Sequence, residues 1–215
     1  SASCNVTVTQ PIEGVKLDKT SLDLERGDTY KLNATVIPEN TDEDKTVTWK
    51  SANPEIATVD NNGVVTAVGK GNTQITATAG GKSATCNVTV GVALQSISLN
   101  KSELSLNKGV SETLTVLYTP ADTDADRTAT WSSSETSVAT VDQQGKVTAV
   151  GKGNAVITAK VGDKTATCNV EVNIPLESIA LDETKIELQY GQSQKLNVIY
   201  NPEDTTDDKT VIWTS

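Results

Sequence analysis

Apolar and polar residues alternate along most of the chain, which is the period of β-strands that bury one face. The alternation is clearest in residues 30–36, 47–51 and 84–90, where Thr and Val are frequent. These residue types suit a half-buried pleated surface. No segment has the spacing of an amphipathic helix, so the pattern predicts an all-β protein.

Short turn signals separate the alternating segments. Residues 60–63 read Asp-Asn-Asn-Gly, which predicts a hairpin because Asn and Gly tolerate positive φ. Residues 69–71 (Gly-Lys-Gly) and 80–81 (Gly-Gly) are predicted as further turns. About seven short strands per unit, with one inward Trp on the third or fourth strand, are typical of an immunoglobulin-like β-sandwich.

The whole pattern repeats with a period of 82 residues. Every Trp and every Cys belongs to a series with this spacing: Trp49, Trp131, Trp213, Cys4, Cys86 and Cys168. Residues 15–96 align with 97–178 without a gap, and 40 of the 82 positions are identical. A period of this length corresponds to a whole small domain rather than to a short solenoid repeat.

The repeat predicts a tandem array of two complete and two partial units. The complete immunoglobulin-like domains are predicted at residues 13–90 and 95–172. Residues 1–9 are predicted to form the final strand of a preceding domain, and residues 177–215 the first part of a further one. Since the chain also lacks Met, we interpret it as a piece of a longer protein.

The junctions between units are short and carry an apolar residue at equivalent places, namely Ile12, Leu94 and Leu176. Flexible linkers are rich in Gly and Ser and lack such anchors. The junctions are therefore predicted to be brief and partly docked, and the array to be extended and fairly stiff.

Composition narrows the function classes. The net charge of −10 opposes binding to nucleic acid or to anionic lipid. No apolar run approaches the length of a membrane span, so no membrane insertion is predicted for this segment. The chain has no His, the commonest general base and metal ligand. The carboxylates that a glycosidase would need lie mainly in loops, without an aromatic-lined cleft. We predict no enzymatic activity, no cofactor, and no catalytic, cofactor-binding or metal site.

Each unit contains one Cys in the same place. Equivalent cysteines are separated by a domain length, far beyond the roughly 7 Å between Cα atoms that a disulfide allows. Cys86 alternates in phase with Val88 and Val90, so it is predicted to be a small buried hydrophobic residue. A reactive or metal-binding thiol would need a His or second Cys nearby.

An acidic loop is the best candidate for chemistry. In the middle copy Asp122, Asp124 and Asp126 occupy alternate positions, a spacing found in Ca²⁺-binding loops. The copies at 40–45 and 204–209 do not keep this spacing, and no EF-hand Gly or Glu follows. One carboxylate keeps its position and precedes a base in every copy: Asp44–Lys45, Asp126–Arg127 and Asp208–Lys209. We interpret the loop as a solvated turn with a local charge pair, and weak Ca²⁺ binding is the alternative.

Two Gly- and Lys-containing segments, residues 69–71 and 81–83, suggest a phosphate-binding loop. The spacing does not fit, because Thr76 stands where the first Gly would be. A strand rather than a helix is also predicted to follow, so we interpret both segments as hairpin turns. No role is assigned to the Asn-x-Ser/Thr triplets that begin at Asn5, Asn33, Asn87 and Asn100.

A long motif links the chain to a known family. Residues 49–60, Trp-Lys-Ser-Ala-Asn-Pro-Glu-Ile-Ala-Thr-Val-Asp, are followed at 62–71 by Asn-Gly-Val-Val-Thr-Ala-Val-Gly-Lys-Gly. This sequence closely resembles the bacterial immunoglobulin-like domain, group 2, and the pattern recurs at 131–153. The resemblance implies a β-sandwich without the inter-sheet disulfide of antibody domains. It also implies tandem use in bacterial adhesin stalks, in phage tail and capsid proteins, and in accessory modules of secreted enzymes, with no shared catalytic residues.

These observations favour an extracellular spacer array that presents an adhesive or other terminal module from a bacterial cell or phage surface. Its partners would be neighbouring immunoglobulin-like domains of the same longer chain. One alternative is a module that binds a carbohydrate or a host protein, and another is a set of accessory domains of a secreted enzyme. Glycan binding usually needs exposed aromatic side chains, whereas the Trp residues here are predicted to face inward.

Overall fold

The computed structural model describes residues 3–214, so the predictions for residues 1, 2 and 215 lie outside the described residues. The described residues form twenty strands and contain no helix, which confirms the all-β prediction. None of this part of the chain therefore forms a helix long and apolar enough to cross a membrane.

The chain divides into two compact units. The first comprises the chain up to Leu94 together with the short segment Asp122–Ala125. The second comprises Gln95–Ala121 and the chain from Asp126 onwards. Four residues of the middle acidic loop thus belong to the first unit, although the strands on both sides of that loop belong to the second.

The first unit contains a four-stranded sheet in the order β2-β9-β8-β5, a three-stranded sheet β3-β7-β6 and a strand pair β1-β4. Its strands are β1 (Gly14–Leu17), β2 (Ser21–Glu25), β3 (Thr29–Lys31), β4 (Ala34–Ile37), β5 (Thr48–Ser51), β6 (Ala57–Val59), β7 (Val64–Ala67), β8 (Gly71–Ala79) and β9 (Lys82–Gly91). β2 pairs in parallel with β9, and the other pairs are antiparallel. This is an immunoglobulin-like sandwich.

The second unit repeats this topology, with sheets β11-β18-β17-β14 and β12-β16-β15 and the pair β10-β13. Its strands are β10 (Ser96–Leu99), β11 (Glu103–Asn107), β12 (Ser111–Thr113), β13 (Val116–Thr119), β14 (Thr130–Ser133), β15 (Ala139–Val141), β16 (Lys146–Ala149), β17 (Gly153–Val161) and β18 (Lys164–Asn173). A last antiparallel pair joins β19 (Ser178–Leu181) to β20 (Val198–Asn201), as β1 joins β4.

The core of each sandwich is aliphatic and centres on the two long strands. Cys86 and Ile75 are cross-strand partners and both are fully buried, as are Cys168 and Ile157 in the second unit. All three cysteines are free, and Cys4 is exposed. The predicted inward phase of the Cys strand is therefore confirmed, and burial raises the pKa of the Cys86 and Cys168 thiols.

The tryptophans occupy equivalent places but differ in burial. Trp131 is 9% exposed, Trp49 is half-buried and Trp213 is 55% exposed. The ring of Trp131 packs against Gly145, where an added Cβ would lie 2.8 Å from Trp131 Cζ2. The prediction of an inward Trp holds well for the second unit, partly for the first, and not for Trp213.

One detail of the predicted strands is wrong. The segment 30–36 is not one strand, because β3 pairs with β7 whereas β4 pairs with β1. The interruption falls at Asn33, whose backbone N–H and side-chain amide both donate to the Asp18 carboxylate at 2.9 Å. The chain crosses from one sheet to another at this point.

The predicted turns are partly confirmed. Residues 60–63 close the predicted hairpin between β6 and β7, where positive φ is confined to Gly63 and the Asp60 carboxylate accepts hydrogen bonds from the N–H groups of Asn62 and Val64. Residues 69–71 do not close a hairpin, since β7 and β8 lie in different sheets. Gly80 and Gly81, both with positive φ, form the predicted turn, which closes the hairpin between β8 and β9.

Residues 3–13 contain no strand. Ile12, in this segment, is 4% exposed and packs with Val36 and Ala79. The predicted domain boundaries, including the final strand of a preceding domain at residues 1–9, remain predictions.

Candidate functional site: the acidic loops and the linker

The linkers are the short segments before β1, between β9 and β10, and between β18 and β19. Each acidic loop binds the backbone of one linker residue about thirty positions earlier in the chain. A threonine is almost fully buried at the same place in all three loops, and its hydroxyl donates to the linker carbonyl. The bonds are Thr41 Oγ1 to Gln10 O at 2.6 Å, Thr123 Oγ1 to Val92 O at 2.9 Å and Thr205 Oγ1 to Ile174 O at 2.8 Å. We call these three arrangements the first, second and third clasp.

The residue after each threonine completes the clasp from both sides. Its N–H donates to the same linker carbonyl, as Asp124 N does to Val92 O at 2.9 Å. Its side chain accepts a bond from the linker N–H. These bonds run from Gln10 N to Asp42 Oδ2 at 3.0 Å, from Val92 N to Asp124 Oδ2 at 2.8 Å, and from Ile174 N to Thr206 Oγ1 at 3.0 Å. The acidic loops therefore satisfy linker backbone groups that would otherwise need water.

A further hydrogen bond depends on the next loop position. In the first clasp Glu43 accepts a bond from Ile12 N at 2.9 Å, and in the third clasp Asp207 accepts one from Leu176 N at 2.8 Å. The second clasp has Ala125 at this position, which offers no side-chain acceptor. The same scaffold therefore uses different acceptors from copy to copy.

The second clasp carries ion pairs. Arg26 contacts both carboxylate oxygens of Asp122, and the ammonium of Lys70 pairs with Asp124. Lys70 also lies 3.4 Å from the backbone oxygen of Asp122. The Arg26 guanidinium lowers the pKa of Asp122, and the hydrogen bond from Lys70 is the main cause of the lowered pKa of Asp124.

Asp44, Asp126 and Asp208 act within their own turns. Each carboxylate accepts bonds from the hydroxyl and N–H of the threonine two residues later, which lowers the pKa of each Asp. In the middle loop the three candidate calcium ligands thus turn to three different partners. Among residues 3–214, no three acidic, Cys or His side chains are grouped so that they could hold a metal ion.

The predicted charge pair between each of these aspartates and the following base is wrong. The bases instead donate to a carbonyl six residues earlier: Lys45 to Glu39 O, Arg127 to Ala121 O and Lys209 to Glu203 O. Arg127 and Lys209 also lie over tyrosine rings, about 5 Å from the centroids of Tyr118 and Tyr200. Tyr118 and Tyr200 lie 82 residues apart, and this recurrence is the sequence signal for the repeated cation–π contact.

The lysine of the Gly-Lys-Gly turn contacts the acidic loop. Lys70 reaches the second clasp, and the equivalent Lys152 donates to the backbone oxygen of Asp204 at 3.2 Å. Neither the clasp nor this contact can be predicted from a short stretch of sequence, because the partners lie 31 to 96 positions apart. The recurrence of Thr41, Thr123 and Thr205 among variable neighbours was the available signal.

Comparison with known proteins finds one family model and several bacterial relatives that match the chain. The family described as "Bacterial Ig-like domain (group 2)" matches residues 11–90 and 93–172. Ice-binding protein 1 of Shewanella frigidimarina is 34% identical over 179 residues, which cover 79% of this chain and 20% of that protein. Lacto-N-biosidase of Bifidobacterium bifidum is 49% identical over 71 residues, 33% of this chain and 6% of the enzyme. Intimin of Escherichia coli O157:H7 is 47% identical over 58 residues, 27% of this chain and 6% of intimin. The chain thus spans a fifth or less of the length of these relatives.

Proposed function

The chain belongs to the family of group 2 bacterial Ig-like domains, and on this basis we propose that it is an extracellular spacer array. In this role it presents an adhesive or other terminal module at a bacterial surface. The relatives described above are bacterial proteins, and intimin among them supports a surface location over a phage particle.

One observation carries the proposal. The loops with the most suggestive charge pattern direct their polar groups at the linker backbone of the protein itself, as Thr123 and Asp124 do at Val92. Loops that evolve to bind a ligand usually aim such groups outward, whereas groups that saturate a linker restrict its conformations. A spacer needs ordered junctions more than it needs a binding site.

The test is to vary the number of units between an anchor and a reporter. The chain, and versions with one unit of 82 residues added or deleted, are placed between a bacterial surface anchor and an epitope tag. We expect antibody access through a surface polysaccharide layer to rise with each unit. A Gly/Ser linker of equal length is the matched control and should give less access, because flexible chains extend only with the square root of their length.

Two outcomes would favour the alternative functions. Specific binding of the isolated chain to host cells, reduced by substitutions on its surface, would support a carbohydrate- or host-protein-binding module. Access that does not depend on unit number, together with a change in catalysis when the chain is deleted from an enzyme that carries it, would support an accessory role. Lacto-N-biosidase, which contains a segment similar to this chain, is an enzyme in which such a deletion can be made.

A further inference from the structure

The second clasp differs from the third in its dependence on charge. Asp124 uses one carboxylate oxygen for Lys70 and the other for the N–H of Val92. The orientation that binds the linker is therefore also the orientation that binds the lysine. Without Lys70, the Asp124 carboxylate would be free to turn toward water, and its hydrogen bond with Val92 N would then be lost more often.

A like charge next to Asp124 increases this dependence. The Asp122 carboxylate is two residues away and raises the cost of ionising Asp124. Arg26 and Lys70 are the cations that offset this repulsion. Without them the two carboxylates would repel each other, and the loop could relieve that repulsion by moving off the linker.

The cations are accessible to salt. The side chains of Arg26, Asp122, Lys70 and Asp124 are between 37% and 52% exposed. Ion pairs with this exposure are weakened by salt, since the Debye length falls from about 30 Å at 0.01 M to about 3 Å at 1 M. The bonds of the buried Thr123 hydroxyl do not depend on charge in this way.

The third clasp supplies an internal comparison. Thr206 replaces the carboxylate, so the bond to Ile174 N is neutral. Lys152 reaches a backbone oxygen, that of Asp204, instead of a carboxylate of the clasp. This clasp keeps the same main-chain bonds but has no ion pair that salt could screen among these residues.

From this contrast we infer that the second clasp is an electrostatic latch on the linker. Lys70 of the Gly-Lys-Gly turn and Arg26 hold the acidic loop closed over Val92, and ionic strength sets how often it opens. The partner of the acidic loop is thus a pair of cations from the chain itself. The inference deepens the proposed spacer function, on which its biological meaning rests, by naming the linker residue whose backbone hydrogen bonds depend on charge.

Hydrogen exchange of the whole chain tests the latch. The amides of Val92 and Asp124 report its opening, and those of Ile174 and Thr206 report the third clasp. Between about 0.01 M and 1 M salt, we expect exchange at Val92 and Asp124 to accelerate by about two- to fivefold, the range usual for exposed ion pairs. Exchange at Ile174 and Thr206 should change by much less.

Substitutions separate charge from shape. Lys70→Gln should accelerate exchange at Val92 and Asp124 at low salt and remove most of its salt dependence, while Lys152→Gln is the matched control. Exchanging charges with Arg26→Asp and Asp122→Arg together should restore protection that Arg26→Asp alone removes. The core amides of Cys86 and Ile75 should stay protected in all variants, which excludes global unfolding as the cause.

Equal exchange in the wild type and Lys70→Gln, or equal salt dependence of the second and third clasps, would overturn the latch. Either result would leave the spacer function standing, because that function is tested by unit number at a surface. Conversely, a working latch in a chain whose length does not affect reporter access would leave the latch intact and refute the spacer.

Discussion

The two complete units share a core and differ in the clasps that belong to them. Cys86 and Cys168 lie in the same cross-strand positions and are equally buried, whereas the second and third clasps use a carboxylate and a hydroxyl for the same linker bond. A core position must fill a fixed volume, so it tolerates little change. A clasp position needs only an acceptor at the right distance, and Asp or Thr can provide one.

The largest expected effect concerns the core of one unit alone. Trp131→Ala should cost about 3–5 kcal/mol, the usual range for emptying a core aromatic site. The half-buried Trp49 is the matched control, and Trp49→Ala should cost less in the first unit. The cysteines provide a separate readout for each unit, because a buried thiol reacts with a labelling reagent only after opening.

In Trp131→Ala we expect labelling of Cys168 to accelerate by about a hundred- to several-thousandfold, with Cys86 little changed. Cys4 is exposed and should react at once in every variant. Equal acceleration at Cys86 and Cys168 would show that the units unfold together. Rapid labelling of Cys168 in the wild-type chain would contradict its buried position.

The next effect concerns the turn that packs on this tryptophan. Gly145 has a φ of 80°, and an added Cβ would lie 2.5 Å from the backbone oxygen of Leu114. Gly162 has a φ of 59°, but a Cβ added there would have no atom within 4 Å. Gly162→Ala should cost about 1–2 kcal/mol, the penalty of a left-handed backbone for an L-residue. Gly145→Ala should cost more, because backbone must also move.

Urea denaturation followed by labelling of Cys168 would compare the two variants. Similar costs for Gly145→Ala and Gly162→Ala would mean that the close approach of the turn to Trp131 and Leu114 is relieved without strain. In the first unit, Gly63 stands at the position of Gly145, and Gly81 has positive φ and open space like Gly162, so these two glycines offer a repeat of the experiment with the less buried Trp49.

The contrast between core and clasp also explains what sequence could predict. The phase of Cys86 follows from a period of two residues within one strand, so a short window was enough to place it inside. The break at Asn33 depends on Asp18, fifteen residues earlier, and the clasp at Val92 depends on Thr123. Such contacts arise only when the sandwich brings distant segments together.

Adjacent opposite charges in the acidic loop do not pair with each other. Asp126 and Arg127 are adjacent, which suggested an ion pair, yet Asp126 bonds to Thr128 and Arg127 reaches Ala121. Neighbouring residues often point apart in irregular structure, whereas Arg26 finds Asp122 from 96 positions away. Sequence proximity is thus a poor guide to which charges meet in a loop.

A smaller expected effect is that acid weakens the second clasp more than the third. The pKa of Asp124 is lowered by Lys70 and Val92 in the folded state, and Arg26 and Asp122 are the other charged groups nearby. A lowered folded pKa stabilises above the unfolded pKa of about 3.9. That stabilisation is lost as the pH falls through the folded value. The third clasp offers Thr206 at this place, which does not titrate.

Amide exchange between pH 7 and pH 3, corrected for its intrinsic pH dependence, would measure this difference. Protection of Val92 should fall below about pH 4, while protection of Ile174 should fall less. Asp124→Asn is the control, since it keeps an acceptor oxygen and should flatten the profile of Val92. Parallel loss at both amides, or a profile unchanged by Asp124→Asn, would assign the acid response to other groups.

The smallest expected effect is that of calcium. Asp122 and Asp124 already bind Arg26 and Lys70, and Asp126 binds Thr128, so a cation would have to displace all three sets of partners. A ligand that binds only the folded state raises stability once its concentration exceeds Kd. We therefore expect the melting temperature in millimolar Ca²⁺ to equal that in NaCl of the same ionic strength, because both salts only screen the ion pairs of the second clasp. A rise specific to Ca²⁺ that disappears in Asp124→Ala would show that the loop exchanges its internal cations for an external one.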